Sequence, residues 1–312
     1  MNSILSAAKW EALKQFKIEA SSGPDRLFRN GRQQVELRIT LEAVDINLVS
    51  VPLSDRELAS VRLVEYHGEK EIPQVGGKWN YDVKRDTQYR FYPLGRSRSA
   101  GDYAEAFAAP PTPEQLISYR QFYITTTSDS PLRVAVKITR DDGEVFFSSL
   151  GNEGSVTLTP IEVPAYRAED YTFKPIPMYE GSIDCIPFVL NSGGTNIEFR
   201  QFSVSPASVV KGKWTGNIIY GLTHSGYTEP GQSGIHYGAG IFHLIKDIES
   251  EFIKVGQPVV VRMHYGWPVP KSVAPEPEGW ARIEAVDMYG NSHALRLRFK
   301  STELADLDLE LY

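Results

Sequence analysis

Apolar and polar side chains take turns along most of this chain, and a two-residue period fits half-buried strands and little else. Val35, Leu37, Ile39 and Leu41 alternate with Glu36, Arg38, Thr40 and Glu42. Val61 to Tyr66 reads the same way. Leu132 to Phe147 is a hairpin in which Asp142-Gly143 makes the turn and Val145-Phe146-Phe147 returns. Val156 to Thr159, Ile197 to Phe202 and Val259 to Met263 add strands. Ile283 to Val286 and Ala294 to Phe299 flank Tyr289-Gly290-Asn291 as a second hairpin, and Leu307 to Tyr312 alternates as a last strand. Short strands with turn signals every ~8–12 residues predict packed antiparallel sheets, not a parallel sheet wrapped in helices.

Helical signals are few. Ser54 and Glu57 form a capping-box pattern before Leu58. Pro113 to Ile117 is spaced to open a turn, and Phe242, Ile245, Ile248 and Phe252 have helical spacing across Ile241–Ile253. In Met1–Ala20, Ser3 suits an N-cap, and Leu5, Ala8, Ala12, Leu13 and Phe16 fall on one helical stripe. Residues 1–20 therefore predict a short amphipathic helix docked on a sheet. Prolines 164, 175 and 177 punctuate Val163–Pro177 and mark a boundary, giving domains over 21–165 and 166–312.

At 312 residues, with 41% hydrophobic and 23% charged, the chain is an ordinary globular mix long enough to bury a core without staples. Its 33 basic and 39 acidic residues leave a charge of −6, and the two halves carry −2 and −4. An acidic balance excludes a dedicated nucleic-acid binder, which displays a basic stripe. No apolar run approaches the ~18 residues of a membrane-spanning helix. Met1–Ala20 lacks the unbroken apolar core of a secretory signal, so a cytoplasmic protein, or one released without a classical signal peptide, is expected.

Two hairpin regions add a resemblance. Ala285 to Asn291 running into a long strand is similar to the last hairpin of many bacterial immunoglobulin-like domains, and so is Val35–Val49 followed by Val51-Pro52-Leu53-Ser54. The resemblance covers roughly 30 residues, reflects sandwich physics as much as ancestry, and carries no catalytic residue. The fold expected is thus all-β and mainly antiparallel: two β-sandwich, immunoglobulin-like domains with a short N-terminal helix and few helical turns.

Chemistry is harder to find. Cys185 lies in an apolar run, where a thiol is a small hydrophobe. Five histidines (224, 236, 243, 264 and 293) fall in the last third without the local spacing of a metal site. No strained G-x-S-x-G elbow, phosphate loop or dinucleotide loop occurs, His224-Ser225 lacks an orienting third group, and no carboxylate pair stands out. Asp141-Asp142-Gly143-Glu144 reads as a turn, not a calcium loop. No catalytic residue, metal or cofactor is therefore assigned.

Two segments stand apart in composition. Residues 211–241 hold eight glycines with Trp214, Tyr220, His224, Tyr227, His236 and Tyr237, and predict a long loop in which rings are the main apolar material. Such rings suit a sugar platform or a contact with a neighbouring protein. Arg96 and Arg98, between serines and glycines in a second aromatic-rich stretch, read first as a solvated loop and otherwise as a basic tip for an acidic partner or a phosphate. The leading reading is a non-enzymatic protein acting by protein-protein contact, a structural, self-assembling or complex-assembly component of bacterial or phage-like type, and a homo-oligomer. The alternatives are a carbohydrate-binding module or lectin using the ring-bearing loop, a glycoside hydrolase with scattered carboxylates, and a membrane-active toxin component.

Overall fold

The computed structural model describes residues 10–66, 70–93, 116–150, 154–178, 183–215, 219–238, 245–270, 280–300 and 309–312. The chain divides into two compact units, Met1–Val163 and Pro164–Tyr312. The first unit contains β1 (Ala12–Ala20), β2 (Arg26–Phe28), β3 (Val35–Val44), β4 (Ser50–Val51), α1 (Asp55–Ser60), β5 (Arg62–Glu65), β6 (Trp79–Asp82), β7 (Ile117–Thr126), β8 (Leu132–Thr139), β9 (Val145–Phe147) and β10 (Ser155–Ile161). One sheet runs β1-β3-β7-β6 with β4 beside β3, and another runs β2-β10-β8-β5 with β9 beside β8. Alternation explains the core between them. Leu37, Ile39 and Ile124 of the first sheet and Leu63, Val134, Val136 and Leu158 of the second belong to one buried cluster. Each such side chain contributes about 1.5–3 kcal/mol by leaving water. Pairing is antiparallel except where β10 meets β2 in parallel.

Helix α1 begins as the capping box predicts: Ser54 Oγ accepts from Glu57 N at 3.1 Å, and Glu57 Oε2 accepts from Ser54 N at 2.9 Å. Glu57 does more than cap. Its Oε1 accepts from Trp10 Nε1 at 2.8 Å and from Asp141 N at 3.1 Å, so one buried carboxylate ties the helix to the start of the described chain and to the β8–β9 turn. In that turn Arg140 is held by Asp142 and Glu144 and stands over the rings of Trp10 and Phe146.

The second unit contains β11 (Tyr171–Thr172), β12 (Ile176–Met178), β13 (Ile183–Pro187), β14 (Val189–Ser192), β15 (Thr195–Ile197), β16 (Phe199–Ser205), β17 (Val210–Thr215), β18 (Ile219–Tyr227), β19 (Val259–Pro270), β20 (Ala281–Asp287), β21 (Ser292–Phe299) and β22 (Leu309–Leu311). Among the described residues three sheets form, in the orders β11-β14-β15, β12-β13-β19-β18-β17 and β16-β20-β21-β22. Phe188 lies fully buried with its ring centroid 5.1 Å from Phe199 and 5.0 Å from Phe202. Cys185 is buried among Val259, Val261 and Met263.

The chain is mostly β, with one α-helix among the described residues. Four expectations need correction. Residues 12–20 are not a separate helical segment but strand β1, paired antiparallel to β3 from Ala12 opposite Val44 to Ala20 opposite Leu37. A bulge between Leu13 and Gln15 makes Lys14 an extra residue, so Leu13 and Phe16, three apart, both face the core. That spacing imitates a helix. Residues 1–9 lie outside the described part.

Residues 211–241 are not one long loop, because most of β17 and all of β18 occupy them and a bridge joins Tyr227 to His236. The described part of 241–253 is not helical either. It is extended, with Ile235 N donating to Lys246 O at 2.8 Å and Ile248 N to Ser233 O at 3.0 Å, and then makes a short 3-10 turn at Ser250–Phe252. These cross-chain partners satisfy the backbone groups that a helix would pair internally, and they outweigh a weak helical period. Lastly, Ile117 opens strand β7 instead of closing a helical turn, while Pro113–Gln115 lie outside the described residues.

Candidate functional site

Of the ring-bearing residues singled out in 211–241, four meet in two pairs. On β18, His224 is fully buried, and the edge of its ring meets Tyr237 at 5.7 Å between centroids. Tyr227 stacks on His236 at 4.9 Å, and Glu229 Oε1 lies 3.7 Å from His236 Nε2. Gly226 makes this possible. A Cβ there would stand 2.6 Å from Tyr237 Cε1 and 2.8 Å from Ile235 Cγ2, so only a glycine lets the ring lie on the strand backbone. Tyr237 is committed inward, its hydroxyl donating to Ile245 O at 3.3 Å and contacting Met263 Sδ at 2.8 Å. His236 alone of the four keeps half its side chain in water. Trp214 and Tyr220 are opposed in the β17–β18 register, but their side chains lie outside the described part. Arg96 and Arg98 also lie outside the described residues.

A second cluster escaped the sequence reading. The turn joining β20 to β21 is built on Asp287, whose side chain is fully buried. Its Oδ1 accepts from Tyr289 N at 2.8 Å and Asn291 N at 3.0 Å, and its Oδ2 accepts from Asn291 Nδ2 at 3.1 Å. His293 Nε2 lies 3.2 Å from the same Oδ2, and His293 Nδ1 lies 2.8 Å from the Tyr171 hydroxyl. Since a carboxylate only accepts, the partners place the proton on Nε2 and leave Nδ1 to accept from the phenol. Carboxylate, imidazole and hydroxyl are wired in the order of a catalytic triad. Here, however, the hydroxyl is a buried phenol, and burial above all, then Tyr166 and Asp170, raises its pKa well beyond the ordinary tyrosine value. The proton stays on oxygen, and the chain acts as a clamp between the hairpin turn and β11. The sequence signal was Asp287 followed by Asn291 and His293 around Tyr289-Gly290. The tyrosine, 122 residues away from His293, could not be paired with it from spacing.

The third feature is a groove of about 820 Å³ beside the first sheet. Lys17 and Glu19 of β1, Arg38 of β3 and Tyr119 of β7 line it from the face away from the core, and Leu58, Val61, Arg62, Arg120 and Phe122 also line it. Strand register sets Glu19 opposite Arg38, Arg38 opposite Gln121 and Thr40 opposite Tyr119. Glu19 pairs with Lys17 at 3.2 Å. Arg120 Nε donates to Leu58 O, and Arg62 Nη1 to Ala59 O and Val61 O. Among the described residues no carboxylate pairs with Arg38, Arg62 or Arg120. Next to the groove, Glu36 is taken by Ser21 Oγ at 2.7 Å and Gln121 Nε2 at 3.2 Å. An acidic molecule thus concentrates unneutralised guanidinium groups in one concavity. Among the described residues no group of three or more His, Cys, Asp or Glu is placed to hold a metal, and no helix is long and apolar enough to cross a membrane.

No protein-family model matches this chain, and neither does any curated protein. Two solved structures align along most of it. One is the Yersinia pseudotuberculosis adhesin InvE, at 10% identity over 90% of this chain and 57% of that one, with a TM-score of 0.23. The other is domains 5–6 of the S-layer protein SbsC, at 8% identity over 91% of this chain and 97% of that one, with a TM-score of 0.21. The chain spans little more than half the length of the adhesin, and likeness at these scores carries no argument about fold or function.

Proposed function

We propose that this protein works by contact, as a non-enzymatic structural or self-assembling component whose partner is protein, in the first instance itself. The observation that carries this reading is where its polar and apolar groups point. The one triad-like wiring among the described residues is sealed inside, whereas the outer surface offers open sheets. Every sheet among the described residues runs from one edge strand to another without closing, and open edges pair with further strands. The β3–β4 connection adds an apolar tip, with Ile46, Leu48 and Val49 exposed by 80%, 77% and 59%. Asp45 Oδ1 holds that tip by accepting from Asn47 N and Val49 N, both at 2.9 Å, and Leu48 adopts φ +63°. A leucine rarely takes this conformation, so the tip is preformed rather than slack.

We further read each unit as an immunoglobulin-like β-sandwich. The shared apolar cluster between two five-stranded sheets in the first unit and the Phe188, Phe199 and Phe202 rings in the second support this. Size-exclusion chromatography with negative-stain imaging across a concentration series tests the contact reading. Discrete oligomers or filaments of the pure protein are expected, and a strict monomer at every concentration overturns it. Turnover of a generic glycoside or ester by the pure protein overturns the non-enzymatic part.

A further inference from the structure

We infer that the arginine-lined groove of the first unit receives an acidic ridge from the second unit of another copy of this chain. This rests on the contact reading and names the surfaces that meet. The groove has shape and charge: about 820 Å³, with Lys17, Arg38, Arg62 and Arg120 against the single carboxylate of Glu19, which Lys17 already occupies. Guanidinium groups without carboxylate partners are suited to bidentate capture of carboxylates brought by something else.

The matching surface is 247–251. Ile248 is buried, and Phe252 and Ile253 pack against the same cluster, so the chain between them turns its other side chains out. Glu249 and Glu251 are exposed, and among the described residues neither has a cationic partner. Asp247, exposed beside them, accepts only from Ser233 Oγ at 2.9 Å. The short 3-10 turn at Ser250–Phe252 holds Glu249 and Glu251 on a fixed backbone, which lowers the entropy lost on docking. Charge distribution agrees, because the half bearing the ridge has net charge −4 against −2 for the half bearing the groove. Because groove and ridge are different surfaces, every copy offers both. Such contacts are heterologous, and they form a ring if the rotation closes or a filament if it does not.

Arg38 is the residue to change, since among the described residues no side-chain hydrogen bond or ion pair depends on it. Arg38→Glu is expected to weaken self-association about tenfold or more, as sedimentation velocity on the full chain would read, with a slightly lowered melting temperature because the new carboxylate faces Glu19 across the ladder, whereas Arg38→Gln, free of that repulsion, weakens association in the same direction with the melting temperature unchanged. Glu249→Arg is expected to weaken it similarly, and the double variant R38E/E249R to recover association to within about threefold of wild type. Raising salt from about 50 to about 300 mM should weaken the wild type but not R38E, because screening removes only the charge contribution. If the wild type associates and R38E associates equally well, the inference falls while the contact reading stands. If R38E alone weakens it and the charge swap restores nothing, the ridge is wrong and the inference falls as well. If the wild type is monomeric at all concentrations, the contact reading itself has failed. Capture of heparin by a wild-type protein that does not self-associate overturns the inference in favour of a glycan occupant.

Discussion

Glu42 is a carboxylate near the end of the interior strand β3 whose side chain is wholly enclosed. Its Oε1 accepts from Ser50 Oγ at 2.7 Å and from Lys14 Nζ at 2.9 Å. The Ser50 hydrogen bond foremost, with Lys14 as ion-pair and hydrogen-bond partner, holds its pKa below the ordinary value of 4.5 against the opposing effect of burial. A depressed carboxylate contributes stability that is fully present above its unfolded pKa and is lost as pH falls through the folded one. Glu42→Gln should therefore cost about 1–2 kcal/mol near neutral pH and flatten the loss of stability below about pH 4.5, as urea midpoints measured against pH would show. An unchanged acid limb would mean that another carboxylate governs it. Cys185 follows the opposite sign. Burial pushes its thiol up to about 12, so it resists deprotonation and reaction while the fold is intact.

Hairpins and strands were legible where one side-chain period ruled without competition, as in Leu132–Thr139 with its Asp142-Gly143 turn and Ala281–Asp287 with Tyr289-Gly290. Edge strand β1 was illegible because one bulged residue converts a two-residue period into spacings of three. The Gly-rich region misled for a related reason. Glycine argues for bends when only the chain itself is considered, yet Gly226 serves a strand that needs room for a ring from another segment. Local sequence contains no record of that ring. Gly226→Ala should thus cost about 1–3 kcal/mol through overpacking, and clearly less in a Tyr237→Ala background that has already lost the ring. Denaturant midpoints of the four proteins in that cycle decide it, and equal penalties in both backgrounds would mean that the backbone, not the ring, requires glycine.

The whole chain shows which parts of a candidate site can be read from sequence and which cannot. Trp214, Tyr220, His224, Tyr227, His236 and Tyr237 were recognisable by composition, but composition does not show that Tyr237 turns inward and His236 outward. The groove was invisible, since Lys17, Arg38, Arg62 and Arg120 stand apart in sequence and are brought together by strand register and by the approach of β5 from the other sheet. Each unit has its own buried clusters, so residues 1–163 and 164–312, expressed separately, are expected to fold with cooperative unfolding transitions. Calorimetry on the two fragments checks this, and a fragment without a transition refutes it.

The parallel ladder of β2 against β10 bears on how the first unit comes into being. Among the described residues Arg26–Phe28 finds its ladder partner in Thr159–Ile161, and just beyond it Arg29 reaches Glu162, 133 positions later. Pairings this distant are slow to close, because the intervening chain must first surrender its freedom. On a ribosome, then, the early strands must wait with greasy faces uncovered until nearly the entire unit has emerged, and this interval is when a chaperone would matter most.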